Sequence, residues 1–154
     1  MILVRERAGS PVLKTDGSPG VPHPGFIETI EAFDGEKLVA QVALHDGSED
    51  PAQDAFAAFA PYVVLTRLWV APEYRMRGLA RTLGEIALER SVELRLTPVA
   101  GVRTAERGIM AFYLGAGFVA FASRPDPLGE VTLLRFRPTE SAVRVVSTSP
   151  TLRP

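Results

Sequence analysis

The sequence predicts a mixed α/β domain built on a largely antiparallel sheet with one parallel β-α-β crossover. Three observations predict it. Two β-like runs, Phe26 to Phe33 and Lys37 to Leu44, are joined through Asp34-Gly35, a dipeptide suited to a tight hairpin turn. An unbroken apolar and β-branched run, Tyr62 to Val70, suits a strand covered on both faces, and it passes through a glycine-bearing turn into a helical pattern. A second helical pattern then stops at Gly115 and Gly117 and leads into two more β-like runs.

Ile2 to Arg7 alternates apolar and polar residues as an edge strand does. Residues 9–25 are too dense in proline and glycine for a helix and read as a loop. Asp50-Pro51-Ala52-Gln53 offers an N-cap, a first-turn proline and a capping-box glutamine ahead of Asp54 to Ala60, which predicts a short helix. Leu79, Leu83, Ile86 and Ala87 share one face of a helix running from Leu79 to about Arg90. Val92 to Val99 reads as the next strand, and Thr104 as the cap of a helix reaching about Leu114. Phe118 to Ser123 and Glu130 to Arg137 form the last pair across the turn from Pro125 to Gly129. Residues 1–138 make one domain and 139–154 a tail, in which Ala142 to Val146 could add a strand.

The length of 154 residues and 46% hydrophobic content are those of a single globular domain. With 17 basic and 18 acidic residues the net charge is −1, which gives nucleic acid and anionic membranes nothing global to hold. The absence of cysteine excludes disulfides, thiolate nucleophiles and cysteine-ligated zinc. The N-terminus turns charged at Arg5, without a secretory apolar region, and no stretch is long and apolar enough to cross a membrane. A soluble cytoplasmic protein is the expectation. The two histidines, His23 and His45, lack metal-ligand spacing and read as solvated loop residues, so no metal is expected. The run Asp46, Glu49, Asp50 and Asp54 reads as a solvated loop, with steering of a cationic amine as the alternative.

The most informative run is Leu68 to Ala80, an apolar strand ending in a basic turn that opens into a helix. The first N–H groups of a helix have no intrahelical acceptor, and with the macrodipole they favour an anion. Gly78 lets a ligand approach the backbone, while Arg75 and Arg77 add positive charge. The order Arg75-x-x-Gly78-x-Ala80 resembles the acetyl-CoA pyrophosphate loop of the GNAT superfamily of N-acetyltransferases. Ala111 to Phe118, a helix with an aromatic pair followed by Gly117-Phe118, resembles that family's second signature. The two matches span roughly residues 65 to 121.

The resemblance implies a GNAT-like sheet, acetyl-CoA as cosubstrate, and an amine acceptor that is a small molecule or a protein. It implies that the amides of Arg75, Met76, Arg77, Gly78, Leu79 and Ala80 hold the pyrophosphate, with Thr82 as a further hydroxyl donor. Leu68, Trp69 and Val70 would border the pantetheine arm, Leu68 and Val70 pairing through their backbone, and a backbone N–H in that segment would polarise the carbonyl. Tyr113 matches the family's general acid. Without cysteine, transfer is expected to be direct, within a ternary complex. The chain departs from the pattern in three ways: loop 9–25 stands where relatives carry two helices, the helix near Asp54 is extra, and the asparagine common early in the second helix is missing. No base is identified, Glu28, Glu31 and His45 being candidates that otherwise read as solvent-facing. A catalytically inactive acyl-CoA-binding or partner-binding module of the same fold is the alternative, and a homodimer could close the open acceptor side.

Overall fold

The computed structural model describes residues 1–14, 16–21 and 23–137. Among them, seven strands form one sheet in the order β1-β2-β3-β4-β5-β7-β6. They are β1 (Ile2–Ala8), β2 (Phe26–Asp34), β3 (Lys37–His45), β4 (Tyr62–Val70), β5 (Thr97–Arg103), β6 (Phe118–Asp126) and β7 (Gly129–Phe136). Every neighbouring pair is antiparallel except β4 with β5, the predicted crossover. The tail from 139 to 154 and the strand expected at Ala142 to Val146 lie outside the described residues.

One face is covered by α2 (Leu79–Glu93) and α3 (Arg107–Ala116). Ile30, Val42, Leu44, Val63 and Leu65 from the strands meet Leu83 and Ala87 of α2 and Tyr113 of α3 in the main core. Fully burying a leucine such as Leu83 contributes about 2 kcal/mol. The other face is covered in two parts. The short α1 (Gln53–Phe56) and the 3-10 turn Ala57–Phe59 seal β4, β5 and β7 through Phe56, Val64, Val99 and Leu133.

Loop 9–25 covers the rest of that face, over β2 and β3, and it does so with polar contacts. Gln41, fully buried, accepts from the Leu13 N–H at 3.1 Å and donates to the Leu13 carbonyl. Thr29 donates to the Gly9 carbonyl at 2.7 Å, and Gly17 lies against the Trp69 ring. This cover explains why Glu28, Glu31 and His45 are buried rather than solvent-facing: α2 shields one side of the hairpin and the loop shields the other.

Several boundaries differ from the sequence expectation. The hairpin loop is Gly35-Glu36, with Gly35 at φ +64°. Asp50 accepts from the Ala52 N–H at 2.8 Å in a local turn instead of capping α1, whose N-cap, Ala52, makes no side-chain bond. α2 runs through Val92 to Glu93, because its buried residues Leu83, Ala87 and Ser91 continue the helical spacing. The strand expected at 92–99 therefore starts at Thr97 and extends to Arg103, where β7 pairs with it. Thr104 does not cap α3; its hydroxyl bonds the Thr132 hydroxyl at 2.6 Å, and Glu106 holds the N-cap position. α3 passes through Gly115 and ends at Gly117, at φ +111°. The last hairpin turns tightly between Asp126 and Gly129.

Gln41→Ala leaves both Leu13 backbone groups without their buried partner, so a loss of about 2 kcal/mol in unfolding free energy is expected in denaturant melts.

Candidate active site

β4 and β5 pair over only three positions, Tyr62 with Thr97, Val63 with Pro98 and Val64 with Val99. Beyond them the strands part, and β5 turns to β7 while β4 stays with β3. A β-bulge at Arg67 and Leu68, with Arg67 at φ +58°, accompanies the parting. Between the two strands lies a cavity of about 280 Å³, lined by Leu65 to Leu68, by Gly101 to Arg103 and by Tyr113.

The edge of β4 that faces this cavity carries backbone groups without a strand partner. Ala71 donates its N–H to the Val39 carbonyl of β3 at 2.8 Å. Because the peptide is trans, the Val70 carbonyl points the opposite way, toward the open edge, where Arg75 Nε donates to it at 2.9 Å. The Trp69 side chain lies beneath loop 9–25 at Gly17, on the face away from α2, so only its backbone borders the groove.

After β4 a 3-10 turn, Pro72–Tyr74, leads into the predicted loop. Met76 at φ +65° and Gly78 at φ +78° flank Arg77, which is not left-handed, and such alternation curls successive N–H groups into an anion-binding concavity. Gly78 is the N-cap of α2 and makes no side-chain cap, so the helix's first donors, at Leu79 and Ala80, are left to a ligand. A Cβ placed on Gly78 would meet nothing within 4 Å, so the space over this helix end is open and the glycine serves no packing contact. Met76 is fully exposed. Arg77 stacks over the Tyr74 ring at 5.0 Å, and Tyr74 donates to Asp34 Oδ2 at 2.6 Å, which ties the loop to the β2–β3 turn. Thr82 is one turn in, its hydroxyl donating to the Gly78 carbonyl at 3.1 Å.

At the other end of the groove Tyr113 is 2% exposed and packed edge-on between Phe112 and Phe118. Burial is the one influence on its phenol and raises the pKa well above the usual value, so it stays protonated at neutral pH. Phe112 fills the α2–α3 interface, where a Cβ on Gly84 would come within 2.4 Å of its ring. It is a packing residue.

The histidines are not solvated loop residues. Gly25 abuts His45, and the two imidazoles meet at 3.3 Å between His45 Nε2 and His23 Nδ1. The Gly47 N–H donates to His45 Nδ1 at 2.8 Å, which places the His45 proton on Nε2, and His23 Nε2 donates to Glu49 at 3.1 Å. Nothing in the spacing of residues 23, 45 and 49 announces this chain, because loop 9–25 creates it by folding back over β3. Glu31 is clamped by Arg5 and Arg7 at 3.4 and 3.2 Å, and Glu28 is held by Arg90 at 2.9 Å. Asp54 of the acidic run pairs with Arg124 at 2.7 Å. Among the described residues there is no group of three or more side chains able to hold a metal ion, and no helix is long and apolar enough to cross a membrane.

The model of the acetyltransferase (GNAT) family matches residues 11–118. No curated protein sequence matches the chain. Among solved structures, the chain is similar to a GNAT family acetyltransferase from Elizabethkingia anophelis with acetyl-CoA bound, at 13% identity and a TM-score of 0.63, covering 89% of this chain and 98% of that one. It is similar to an IAA acetyltransferase from Bacillus cereus, at 13% identity and a TM-score of 0.62 over 88% and 99% of the two chains. It is also similar to the ribosomal-protein-S18-alanine N-acetyltransferase from Escherichia coli, at 15% identity and a TM-score of 0.60 over 88% and 93%.

Burial, with Arg67 and His23 nearby, lowers the His45 pKa against the opposing pull of Asp46 and Asp50. A histidine whose folded pKa is depressed binds fewer protons folded than unfolded, so stability falls as pH drops below the unfolded value of about 6.5. The thermal midpoint is expected to fall between pH 7 and pH 5, and His45→Gln is expected to flatten that slope in calorimetric scans.

Proposed function

The chain belongs to the GNAT acetyltransferase family, and from that premise we propose that it transfers an acetyl group from acetyl-CoA to the nitrogen of an amine within a ternary complex. One observation carries this reading: the open edge of β4 runs from an uncapped, concave helix N-terminus at Gly78 to a cavity lined by Tyr113. A pyrophosphate fits the first, an extended amide-bearing arm the edge, and a thioester the second.

In the proposed arrangement the N–H groups of Arg75 to Ala80 and the Arg75 and Arg77 guanidinium groups bind the pyrophosphate, and Thr82 supports the turn through Gly78. Arg75 must leave the Val70 carbonyl, or share it, when an amide of the arm pairs there. Backbone N–H groups near the bulge at Arg67 and Leu68 polarise the thioester carbonyl. A neutral amine nitrogen then attacks the carbonyl carbon, the carbon–sulfur bond breaks, and the proton the amine releases to water is balanced by the one the thiolate takes up from it. Burial raises the Tyr113 pKa and keeps the phenol protonated, so Tyr113 serves by donating a hydrogen bond to the departing sulfur as charge builds there. No cysteine exists to carry the acyl group, which supports direct transfer. The reading places the protein in the cytoplasm, where acetyl-CoA is available.

Calorimetric titration with acetyl-CoA tests it. One-site saturable binding is expected, weakened about tenfold or more in an Arg75→Ala/Arg77→Ala double variant. Absence of binding to the folded protein would sink the transferase reading and leave a partner-binding module.

Tyr113→Phe keeps the ring packing and removes only the hydroxyl. Its expected signature is a kcat reduced about 10²-fold with acetyl-CoA affinity unchanged, followed by thiol release. An unchanged kcat would remove Tyr113 from the chemistry.

A further inference from the structure

We propose that Arg67, in a cavity on the sheet face opposite α2, selects as acceptor a free α-amino acid, whose carboxylate sits beside its amine. This rests on the acetyl-transfer reading above.

A second cavity of about 160 Å³ lies between His23 and the β3–α1 connection, with His45, Glu49, Asp50, Thr66 and Arg67 also in its wall. At ~30 Å³ per water this is the space of about five waters, enough for the polar end of a small molecule. Thr66 and Arg67 also line the cavity between β4 and β5. The two cavities therefore share Thr66 and Arg67 of β4 as a common wall at the bulge, one bordered by α3 through Ile109 and Tyr113 and the other by His23 and the β3–α1 connection. That is the geometry a ternary complex needs, with the thioester and the amine arriving from opposite faces.

Arg67 stands out among the arginines. Arg5, Arg7, Arg81, Arg90, Arg103 and Arg124 each hold a carboxylate, Arg135 lies over the Phe59 ring, and Arg95, Arg107 and Arg137 are exposed. Arg67 is half-buried at the junction of the cavities and, among the described residues, forms no ion pair and no side-chain hydrogen bond. Its left-handed backbone is strained in a residue with a Cβ, and the bulge sustains that strain at the position lining both cavities. A partly desolvated guanidinium without a partner favours a planar anion that can take two parallel hydrogen bonds.

The opposite wall is acidic. Gly47 fixes the His45 proton toward His23, and His23 in turn donates to Glu49, so both imidazoles spend their N–H groups within the wall. Asp50 spends one oxygen on the Ala52 N–H and keeps the other. Glu49 and Asp50 suit the ammonium in which the acceptor arrives, while Arg67 suits the adjoining carboxylate. A polyamine would set a second cation against Arg67. A peptide N-terminus would offer it an amide in place of the carboxylate.

The test uses the full chain with saturating acetyl-CoA. The twenty L-α-amino acids, the carboxamides of those that react, dipeptides with the same first residue, and spermidine are assayed by thiol release and product mass. At least one free amino acid is expected to react, and its carboxamide and dipeptide to lose at least tenfold in kcat/KM, mainly through KM. Arg67→Gln should bring acid and carboxamide within about twofold while acetyl-CoA affinity is retained, and Arg67→Lys should restore part of the discrimination. If Arg67→Gln does not fold, the comparison of acid with carboxamide in the unaltered protein decides alone. Preference for spermidine, the carboxamide or the dipeptide overturns the proposal. So does an Arg67→Gln enzyme with kcat reduced equally for all acceptors and discrimination intact, which would place Arg67 on the thioester. Acetyl-CoA binding without reaction of any free amino acid overturns it while sparing the transferase reading, whereas failure to bind acetyl-CoA removes both.

Discussion

Everything at the candidate site depends on two parallel strands that stay paired for three residues and then separate. Continued pairing of β4 with β5 would satisfy the backbone groups from Leu65 to Val70 and leave no groove. The separation is stable because each strand has another partner: β3 holds β4 up to Val70, and β7 holds β5 from Val99 to Arg103. Pro98, which cannot donate, sits where this costs nothing, since Thr97 still donates to the Pro61 carbonyl at 2.9 Å and the β7 ladder begins only at Val99. The bulge at Arg67 then adds local bend to β4. The unpaired edge is thus a consequence of topology, and Arg75 shows how the free protein manages it by lending a side-chain donor to Val70.

The phosphate loop inherits its position from the same parting. β4 ends beside the open edge, so the turn from Pro72 to Gly78 delivers the α2 N-terminus to the end of the groove. Its shape is held from outside, through Tyr74 bonded to Asp34 and Arg77 stacked on Tyr74, and not by a cap that would consume the helix's donors. The Asp34 carboxyl is kept below its usual range chiefly by that hydrogen bond, so the tether persists through neutral pH.

The sheet, the crossover, the loop from Arg75 to Ala80 and the position of Tyr113 were legible in the sequence because each is local. Period-two and helical spacing mark the elements, and a glycine after two arginines marks the turn. The strand expected at 92–99 went wrong where local signals conflict. Val92 favours a strand by its branching, but Ser91, one helical turn after Ala87, is buried with it and prolongs α2. The bulge at Arg67 left no trace, since neither a glycine nor a proline marks it. The histidine chain was invisible for a different reason. Residues 23, 45 and 49 come together only through the path of a loop, and loop paths follow from contacts made far along the chain.

That path has a physical logic of its own. Where two helices would cover a sheet face with apolar side chains, a loop rich in proline and glycine offers mainly backbone carbonyls and N–H groups. A sheet face under such a cover must therefore be polar, or the loop's backbone would be buried without partners. The β2–β3 hairpin meets this demand with Thr29, Glu31, Gln41 and His45 on one face, all buried, while the face toward α2 carries Ile30, Ala32, Val42 and Leu44. Four buried polar residues at period-two spacing on adjacent strands would otherwise be a costly error. Here Thr29 meets Gly9, Gln41 meets Leu13, Glu31 meets the arginines of β1, and His45 meets His23. The hairpin's polar face and the loop's composition are two halves of one constraint. The part of this cover that lines the loop-side cavity, His23 and His45, is held by directional hydrogen bonds, which makes it sensitive to charge and protonation in a way that a wall of packed helices would not be.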